Sequence, residues 1–381
     1  MKNNRTFLEK LLDGAEVKWK PLGKVTDIKT GQSVSKNIIA QNPGIYPVIN
    51  SGREPLGFIN EWNTENDPIG ITTRGAGVGS ITWQEGKYFR GNLNYSVTIK
   101  SEYELNVRFL YHILLHFQKE IHNLCSFTGI PALNASELKK LEIPIPPLPV
   151  QTEIVKILDA LTALTSELIS ELTSELTLRQ KQYEYYREKL LSEEELGKVG
   201  FEWKTLDQIS ENLDSKRKPI TSGLRTSGKI PYYGASGIVD YVEDYIFDGD
   251  FLLISEDGAN LLARNTPIAF SATGKIWVNN HAHILKFNSY EERRFIEFYL
   301  NKIDLTPYIS GAAQPKLNKK NLNSIKIPIP SIPKQQRIVS ILDKFETLTN
   351  SITEGLPLAI EQSQKRYEYY RELLLNFPGR E

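Results

Sequence analysis

The chain has 381 residues, of which 40% are hydrophobic, and at about 150 residues per domain that length favours two or three domains. This composition is typical of a globular protein and excludes a largely disordered or collagen-like chain. Forty-six basic side chains balance 46 acidic ones, so the formal net charge is +0. No overall excess of positive charge favours nucleic acid or an acidic membrane.

Targeting and redox signals are sparse. Cys125 is the only cysteine, which excludes an internal disulfide framework and a cysteine-based zinc site. The amino terminus lacks the apolar core of a secretory signal. The longest largely apolar stretch, residues 109–117, is too short to span a bilayer. We therefore expect a cytoplasmic protein with no membrane association.

The chain contains an internal repeat. When the sequence is shifted by 184 residues, 143–191 aligns with 327–375 without a gap, and 24 of 49 positions are identical. The identities include all of YEYYRE, at 183–188 and 367–372. Weaker matches at the same offset pair Trp19 with Trp203, and PALN at 131–134 with PKLN at 315–318. The repeat predicts two tandem units, each a divergent globular part followed by a closely matched block.

The matched block reads as a long helix. Its proline-rich entry, IPIPPLP, is stiff and extended, because proline fixes its own φ and disfavours helix at the preceding residue. Apolar residues then recur every three or four positions, which is the pattern of one helix face. They are Ile154, Ile157, Leu158, Leu161, Leu164, Leu168, Leu172 and Leu176, and in the second copy Ile338, Ile341, Leu342, Phe345, Leu348, Ile352 and Ile360. Gly355 and Pro357 predict a kink or a break in the second helix.

Connectivity suggests how the helices are arranged. Each apolar stripe needs burial, and a helix of about 40 residues would be about 60 Å long. We expect the second helix to return along the first, giving an antiparallel pair with a globular domain at each end. The alternative is that each helix packs onto its own domain. In the globular parts we predict strands near 69–73, 96–99, 251–254 and 284–287, and helices at 106–123 and 291–302.

The motifs IPIPPLPxQxxIVxILD and QKQYEYYREKLL, with W-x-x-L opening each globular part, resemble the specificity (S) subunit of type I restriction–modification systems. The resemblance implies an α+β fold in which two tandem mixed α/β target recognition domains are separated by two long helices forming an antiparallel coiled coil. We assign residues 1–142 and 198–326 to the recognition domains, and 143–197 and 327–381 to the helical spacers.

The resemblance also implies partners. They are double-stranded DNA with a bipartite target, two methyltransferase (M) subunits docked on the spacers, and restriction (R) subunits. No cofactor would be bound directly: S-adenosylmethionine would belong to the M subunit, and ATP and Mg²⁺ to the R subunit. The sequence shows no methyltransferase, nucleotide-binding or nuclease motif, so we expect no catalytic residues. The alternative is a self-sufficient nuclease whose site is not recognisable.

Charge is distributed unevenly among these parts. Residues 1–142 carry +3 and 198–326 carry +2, whereas the first spacer carries −5 and the second is neutral. A small positive excess in the globular parts is consistent with phosphate contacts, since a base reader needs only a few well-placed cations. The acidic first spacer is not expected to lie against DNA.

The candidate DNA contacts are cations in or beside loops of the globular parts. Lys216, Arg217 and Lys218 form the strongest cluster, and Arg74 lies in a glycine-rich loop that reads TTRGAGVGS. For these residues the alternative is a solvated basic loop, and a cofactor role for the glycine loop is disfavoured because its spacing is not that of a dinucleotide fingerprint. The remaining candidates are Lys29, Lys36, Lys87, Arg90, Arg225, Lys229, Arg264 and Lys275.

The repeated tyrosine motif is the candidate partner surface. Its residues occupy several helix faces, so one face can pack on the neighbouring helix while others remain for an outside protein. They are Tyr183, Tyr185, Tyr186 and Arg187, with Tyr367, Tyr369, Tyr370 and Arg371 in the second copy. His112 and His116 lie four residues apart on a predicted helix, but nothing nearby in sequence completes a metal site. We predict no metal.

Overall fold

The computed structural model describes residues 6–52, 54–311, 314–351 and 353–379, so Ile352 lies outside the described residues. The chain divides into two compact units. The first unit combines Met1–Glu171 with Ile360–Glu381, and the second is Leu172–Ala359. The first unit is therefore built from both ends of the chain, as a returning second spacer requires.

The first unit is a mixed α/β domain at the start of a long helix. Its helices, up to and including that long one, are α1 (Phe7–Leu12), α2 (Leu22–Val25), α3 (Lys36–Gln41), α4 (Val107–His116), α5 (Gln118–Asn123), α6 (Ala135–Leu138) and α7 (Leu148–Leu190). Its strands are β1 (Lys18–Pro21), β2 (Thr26–Thr30), β3 (Pro43–Ile49), β4 (Phe58–Ile59), β5 (Thr64–Glu65), β6 (Ile69–Thr72), β7 (Ile81–Trp83), β8 (Lys87–Arg90), β9 (Asn94–Ile99) and β10 (Glu142–Ile145). They form two four-stranded sheets, in the orders β2-β9-β6-β7 and β4-β3-β8-β5, and the pair β1-β10.

The second unit repeats this plan with a larger sheet. Its helices are α8 (Glu193–Gly197), α9 (Leu206–Ile209), α10 (Asn260–Ala263), α11 (Tyr290–Lys302), α12 (Lys319–Asn323), α13 (Ile332–Asn350) and the start of α14 (Leu356–Leu375). Its strands are β11 (Phe201–Thr205), β12 (Glu211–Asn212), β13 (Ser227–Gly234), β14 (Gly237–Val242), β15 (Phe247–Ser255), β16 (Ala269–Val278), β17 (Ala282–Lys286) and β18 (Lys326–Pro330). Six of them form one sheet in the order β12-β17-β15-β16-β13-β14, and β11 pairs with β18.

The strands predicted at 96–99 and 251–254 lie within β9 and β15, those predicted at 69–73 and 284–287 extend one residue beyond β6 and β17, and the two predicted helices are also present. The helix predicted at 106–123 is divided into α4 and α5 at Phe117, whose φ and ψ of −85° and 14° depart from helical values. Helix α11 is buried on all faces from Arg293 to Leu300, where it packs against strands β15 and β16 and helix α13. Local sequence composition therefore located these elements correctly.

The opening and closing motifs of each globular part are neighbours in space. Strand β1 pairs antiparallel with β10, which places Trp19 opposite Pro144. Strand β11 pairs with β18 in the same way, with Trp203 opposite Pro328. Prolines are tolerated here because each ladder has only two strands, so a missing N–H faces outward. The W-x-x-L and IPIP motifs thus close each globular part at the point where its spacer begins.

The two spacers run antiparallel. Helix α7 continues unbroken for 43 residues. In the first unit Tyr367 of α14 contacts Thr162 of α7, with 3.0 Å between their hydroxyl oxygens. Further along α14, Leu374 and Leu375 join the core that contains Ile154 and Leu158 from the start of α7. Since residue numbers rise along one helix as they fall along the other, the antiparallel arrangement is confirmed.

The second spacer is broken where its sequence predicts. Helix α13 ends at Asn350 and α14 begins at Leu356, with Pro357 in its first turn. Gly355 has a φ of +85°, and a Cβ built on it would lie 2.6 Å from the carbonyl oxygen of Thr347. Such a conformation and such an approach are both available only to glycine. The break is therefore encoded by the Gly355–Pro357 segment.

We expect Gly355→Ala to destabilise the protein, because alanine would have to adopt a left-handed backbone and displace the end of α13. Strain of this kind costs about 1–3 kcal/mol, which urea unfolding monitored by circular dichroism measures. The matched control is Gly197→Ala, since a Cβ there meets nothing within 4 Å and φ lies outside the positive range. Equal stabilities of the two variants would contradict the strain argument.

Candidate nucleic-acid interface

In each unit, two loops are joined by backbone hydrogen bonds in the same pattern. In the first, Gly75 N donates to Pro131 O at 3.0 Å and Leu133 N donates to Thr73 O at 2.8 Å. In the second, Gly258 N donates to Pro315 O at 3.1 Å and Leu317 N to Glu256 O at 2.7 Å. The glycine-rich loop and the PALN segment are therefore one paired structure, and the second copy preserves it although its sequence has diverged. We call this structure the paired loop.

The paired loop differs in charge between the units. Arg74 forms an isolated bridge with Ala132, and Asp257 forms the matching bridge with Lys316. Arg74 is exposed, whereas Asp257 lies beside His281, with 2.9 Å between Oδ2 and Nδ1. The residue equivalent to Arg74 is thus an aspartate, Asp257. Equivalent backbones present a cation in one domain and an acid–histidine pair in the other.

The exposed basic candidates are found in both units. Lys29 lies on β2 and Lys36 opens α3, while Lys87 of β8 places its Nζ 4.5 Å from the centre of the Trp62 ring. In the second unit Lys275 approaches the Tyr245 ring at 4.6 Å. Other exposed cations of the second unit are Lys216, Lys218 and Lys229. All of these can meet phosphate without rearranging the domain.

Arg90 is instead an internal residue. It is 3% exposed, and its guanidinium donates to the carbonyl oxygens of Asp67 at 2.6 Å and Ile69 at 3.1 Å, and to Asn94 Oδ1 at 2.7 Å. Burial lowers the pKa of Arg90, an effect that the neighbouring Tyr88 and Asp67 partly offset. These bonds hold β8, β6 and β9 together, so we remove Arg90 from the proposed DNA surface.

Two arginines of the second unit also have internal partners. Arg217 donates to Glu256 Oε2 and to Ala282 O, both at 2.7 Å. Arg264 donates to Ile303 O at 2.7 Å, just beyond the end of α11, where a cation stabilises the carbonyl groups of the helix terminus. Burial lowers the pKa of Arg264. The basic cluster 216–218 therefore presents Lys216 and Lys218 outward, while Arg217 binds inward.

Arg225 is intermediate in character. Its Nη1 lies 2.9 Å from Asp240 Oδ2, and its guanidinium lies 4.3 Å from the centre of the Tyr232 ring. The Asp240 carboxylate is partly exposed, so a phosphate would have to compete with it. We therefore leave Arg225 out of the proposed contacts as well.

The repeated tyrosines form two matching surfaces. Tyr185 and Tyr186 are 58% and 39% exposed, and Tyr369 and Tyr370 are 59% and 44% exposed. Each pair is edge-to-face, with ring centres 5.3 Å apart in the first copy and 5.5 Å apart in the second. We call these pairs the tyrosine surfaces. Such large aromatic rings in water are typical of protein interaction sites.

The first tyrosine of each motif faces inward. Tyr183 packs near Phe345, with ring centres 6.5 Å apart, and burial raises its pKa to about 12. The following arginines stack on these inner rings: Arg187 lies 5.6 Å from the Tyr183 ring centre, and Arg371 lies 5.9 Å from that of Tyr367. The motif therefore supplies one inward tyrosine and two exposed ones at each position, and in the first copy the exposed Tyr186 also stacks on Phe345, with ring centres 5.6 Å apart.

Several repeated residues with structural roles were not singled out from sequence. Gln151 and Gln335 are buried, and each donates from Nε2 to a proline carbonyl, Pro146 O at 2.7 Å and Pro330 O at 2.8 Å. Their recurrence at the Q of both PxQxxIVxILD motifs is a signal that could have identified them, because a glutamine is otherwise out of place in an apolar stripe.

The aspartate that ends the ILD motif has a matching role in both units. Arg108 of α4 donates from Nε to Asp159 Oδ1 at 2.9 Å, and His112 Nε2 lies 2.9 Å from the same oxygen. In the second unit Arg294 of α11 donates from Nη2 to Asp343 Oδ1 at 2.7 Å. Burial lowers the pKa of His112 despite this carboxylate. These ion pairs fix the principal helix of each domain onto its spacer.

The histidines accordingly have structural partners. His283 is buried and lies 2.6 Å from Asp214 Oδ2 through Nδ1. Within the described ranges no group of three or more histidine, cysteine, aspartate or glutamate side chains could hold a metal ion. Over the same residues no helix has the length and apolar character needed to cross a bilayer.

Comparison with known proteins identifies the family. The family model of the type I restriction modification DNA specificity domain matches twice, at residues 15–178 and 198–362. The chain is 43% identical to a putative type I restriction enzyme specificity subunit of Haemophilus influenzae, over 99% of this chain and all of that one. It is 35% identical to the EcoR124I/EcoR124II specificity subunit of Escherichia coli, over 98% and 97% of the two chains.

A solved structure shows the same fold. The type I S subunit of Mycoplasma genitalium superposes with a TM-score of 0.54 at 22% identity, covering 97% of this chain and 98% of that chain. The chain therefore belongs to the specificity subunits of type I restriction–modification systems, which are the non-catalytic DNA-recognition components. The resemblance drawn from the motifs is confirmed, and the alternative of a self-sufficient nuclease is not supported.

The outward lysines of the basic cluster give a first test of the DNA surface. We expect Lys216→Ala combined with Lys218→Ala to weaken DNA binding. The slope of log affinity against log salt concentration should become shallower by about 0.9 for each of up to two lost phosphate contacts. Fluorescence anisotropy over a range of salt concentrations measures this slope. Lys319→Ala with Lys320→Ala, two other exposed lysines of the unit, is the control. Unchanged slope in the first variant would assign the cluster to a solvated loop.

Proposed function

We propose that this specificity subunit reads one half of a bipartite DNA target with each globular domain and holds one methyltransferase subunit at each tyrosine surface. The observation that carries the proposal is a contrast within one chain. The tyrosine surfaces are nearly identical in sequence and geometry, whereas the paired loops share a backbone and differ in charge. A repeated surface suits two identical partners, and a diverged one suits two different half-sites.

The proposed recognition domains are residues 1–142 and 198–326, followed by spacers 143–197 and 327–381. The β1–β10 and β11–β18 pairs close each globular part just before a spacer helix, and residues 143–145 and 327–330 belong both to these strands and to the proposed spacers. The DNA contacts we propose are the candidate cations from the sequence whose side chains are exposed in the structure. They are Lys29, Lys36, Arg74, Lys87, Lys216, Lys218, Lys229 and Lys275.

The chemistry belongs to the partners in this proposal. The M subunits bind S-adenosylmethionine and modify DNA near each recognition domain, and R subunits supply the ATP- and Mg²⁺-dependent step. The specificity subunit acts in the cytoplasm, where its DNA substrate is found, and contributes only the choice of sequence and the spacing between half-sites. Helix α7 connects the two domains along the chain, and its 43 residues correspond to a helix length of about 65 Å at 1.5 Å per residue.

Native mass spectrometry of the complex with co-expressed M subunits tests the stoichiometry. We expect two M subunits per chain for the wild type. Tyr185→Ala should leave one M subunit, because its exposed ring is removed from one tyrosine surface only. Tyr369→Ala should do the same, and the double variant should lose both.

The matched control is Leu178→Ala. Leu178 is 50% exposed on the same helix but has Gln362 at its counterpart, so it is not part of a repeated surface. A wild-type complex with one M subunit at saturation would contradict the two-surface proposal. So would retention of two M subunits by the double tyrosine variant.

Domain exchange tests the division of the DNA target. Replacing residues 198–326 with the corresponding domain of another family member should change one half of the methylated sequence and leave the other half intact. Methylome sequencing of cells that carry the hybrid and its M subunit provides the measurement. A change in both halves would show that the domains do not read independently.

A further inference from the structure

The tip of the paired loop in the first unit is an exposed apolar feature without an internal role. Ser126 and Ala132 are joined by reciprocal backbone hydrogen bonds of 2.8 and 3.0 Å, which close the loop that they bracket. Phe127 is 54% exposed and Ile130 is 70% exposed, while Gly129 takes a φ of +86° at the turn. Two large apolar side chains are thus presented outward by a closed and anchored loop.

Contacts with the rest of the domain anchor this loop. Its glycine-rich neighbour packs on α5, where Gln118 Nε2 donates to Gly79 O at 2.8 Å. The Phe127 ring lies beside the His122 ring, with centres 5.0 Å apart. Leu133, which follows the loop, is 2% exposed in the domain core. An anchored presentation of this kind loses little conformational freedom on binding, which favours recognition.

The surroundings of the tip are suited to a polyanion. The two stretches of chain that contain the paired loop, 68–84 and 121–136, have no aspartate or glutamate. Arg74 is exposed and bridges to Ala132 at the base of the loop. An apolar tip beside a cation, in a stretch without acidic residues, matches the edge of a base pair next to its phosphate.

We propose that Phe127 and Ile130 contact bases of the half-site read by the first domain, while Arg74 binds the adjacent phosphate. This inference rests on the proposed function and adds specificity-determining residues to it. Apolar side chains distinguish bases by contact with the thymine methyl group or by insertion at a deformable base step. The site is thus a sequence-reading loop rather than a non-specific phosphate grip.

The second unit supports this interpretation because its equivalent loop carries different side chains. Its equivalent loop is closed by Ser310 and Lys316, with reciprocal bonds of 2.8 Å. Asp257, His281, Gln314 and Lys316 are among the residues that line a cavity of about 430 Å³ there. Charged and polar side chains around a cavity in one domain and an apolar tip in the other, on the same backbone plan, are what two domains with different half-sites require.

The experiment uses the full chain in complex with its M subunits and the duplex whose sequence the wild-type complex methylates. Phe127→Ala combined with Ile130→Ala should weaken binding about tenfold, the effect of losing one base contact, with the salt slope unchanged. Arg74→Ala should instead reduce that slope by about 0.9. Methylome sequencing should show relaxed preference in the first domain's half-site alone.

Phe7→Ala is the matched control, because Phe7 lies in the same unit and is 53% exposed. It should change neither affinity nor methylated sequence. Wild-type affinity and sequence preference in the Phe127/Ile130 variant would overturn the inference, as would loss of an M subunit from that variant by native mass spectrometry. A wild-type complex without sequence preference would instead overturn the proposed function itself.

Discussion

The core of each globular domain is completed by a leucine pair at the end of a spacer helix that did not originate in it. Leu374 and Leu375 end α14 and are 4% and 1% exposed in the core of the first unit. Leu190 is the last residue of α7 and Leu191 follows it, and both pack in the second unit, where Leu191 is fully buried. Burying one leucine contributes about 1.5–3 kcal/mol. The antiparallel return of the second spacer therefore stabilises the first domain.

This closure explains part of the sequence identity between the copies. The repeated glutamine, aspartate and leucine pair make matching internal contacts in both units, so selection for folding alone can keep them alike. The fold does not require comparable internal contacts from the exposed rings of Tyr185 and Tyr369. Near-identity of the repeats was interpreted from sequence as a shared partner surface, but only the outward part of the motif carries that argument.

The periodic features of the fold were predictable, and the long-range ones were not. Stripe spacing located α7, and Gly355 with Pro357 located the break, because these signals are local. Arg217 could not be assigned its inward role, since its partner Glu256 lies 39 residues away and no local pattern links them. Lys216 and Lys218 have the same charge in sequence but face solvent.

The paired loop is another long-range feature that no local pattern in the sequence reveals. Thr73 and Leu133 are distant in sequence, and only the folded domain shows that the glycine-rich loop and the PALN segment form one structure. Backbone bridging makes Asp257 the counterpart of Arg74, whereas Arg264 follows α10 and lies outside the paired loop.

Internal ion pairs also explain why the net charge does not show which cations are available to DNA. Arg90, Arg217 and Arg294 count as positive residues in the composition, yet each is buried or half-buried beside carboxylates. Their charges are neutralised within the domains and contribute little to the field outside. Cations such as Arg74 and Lys216 remain exposed. Contacts between a few such cations and phosphates are enough to align a reading surface on DNA. Composition therefore counts structural and functional cations together, and the fold separates them.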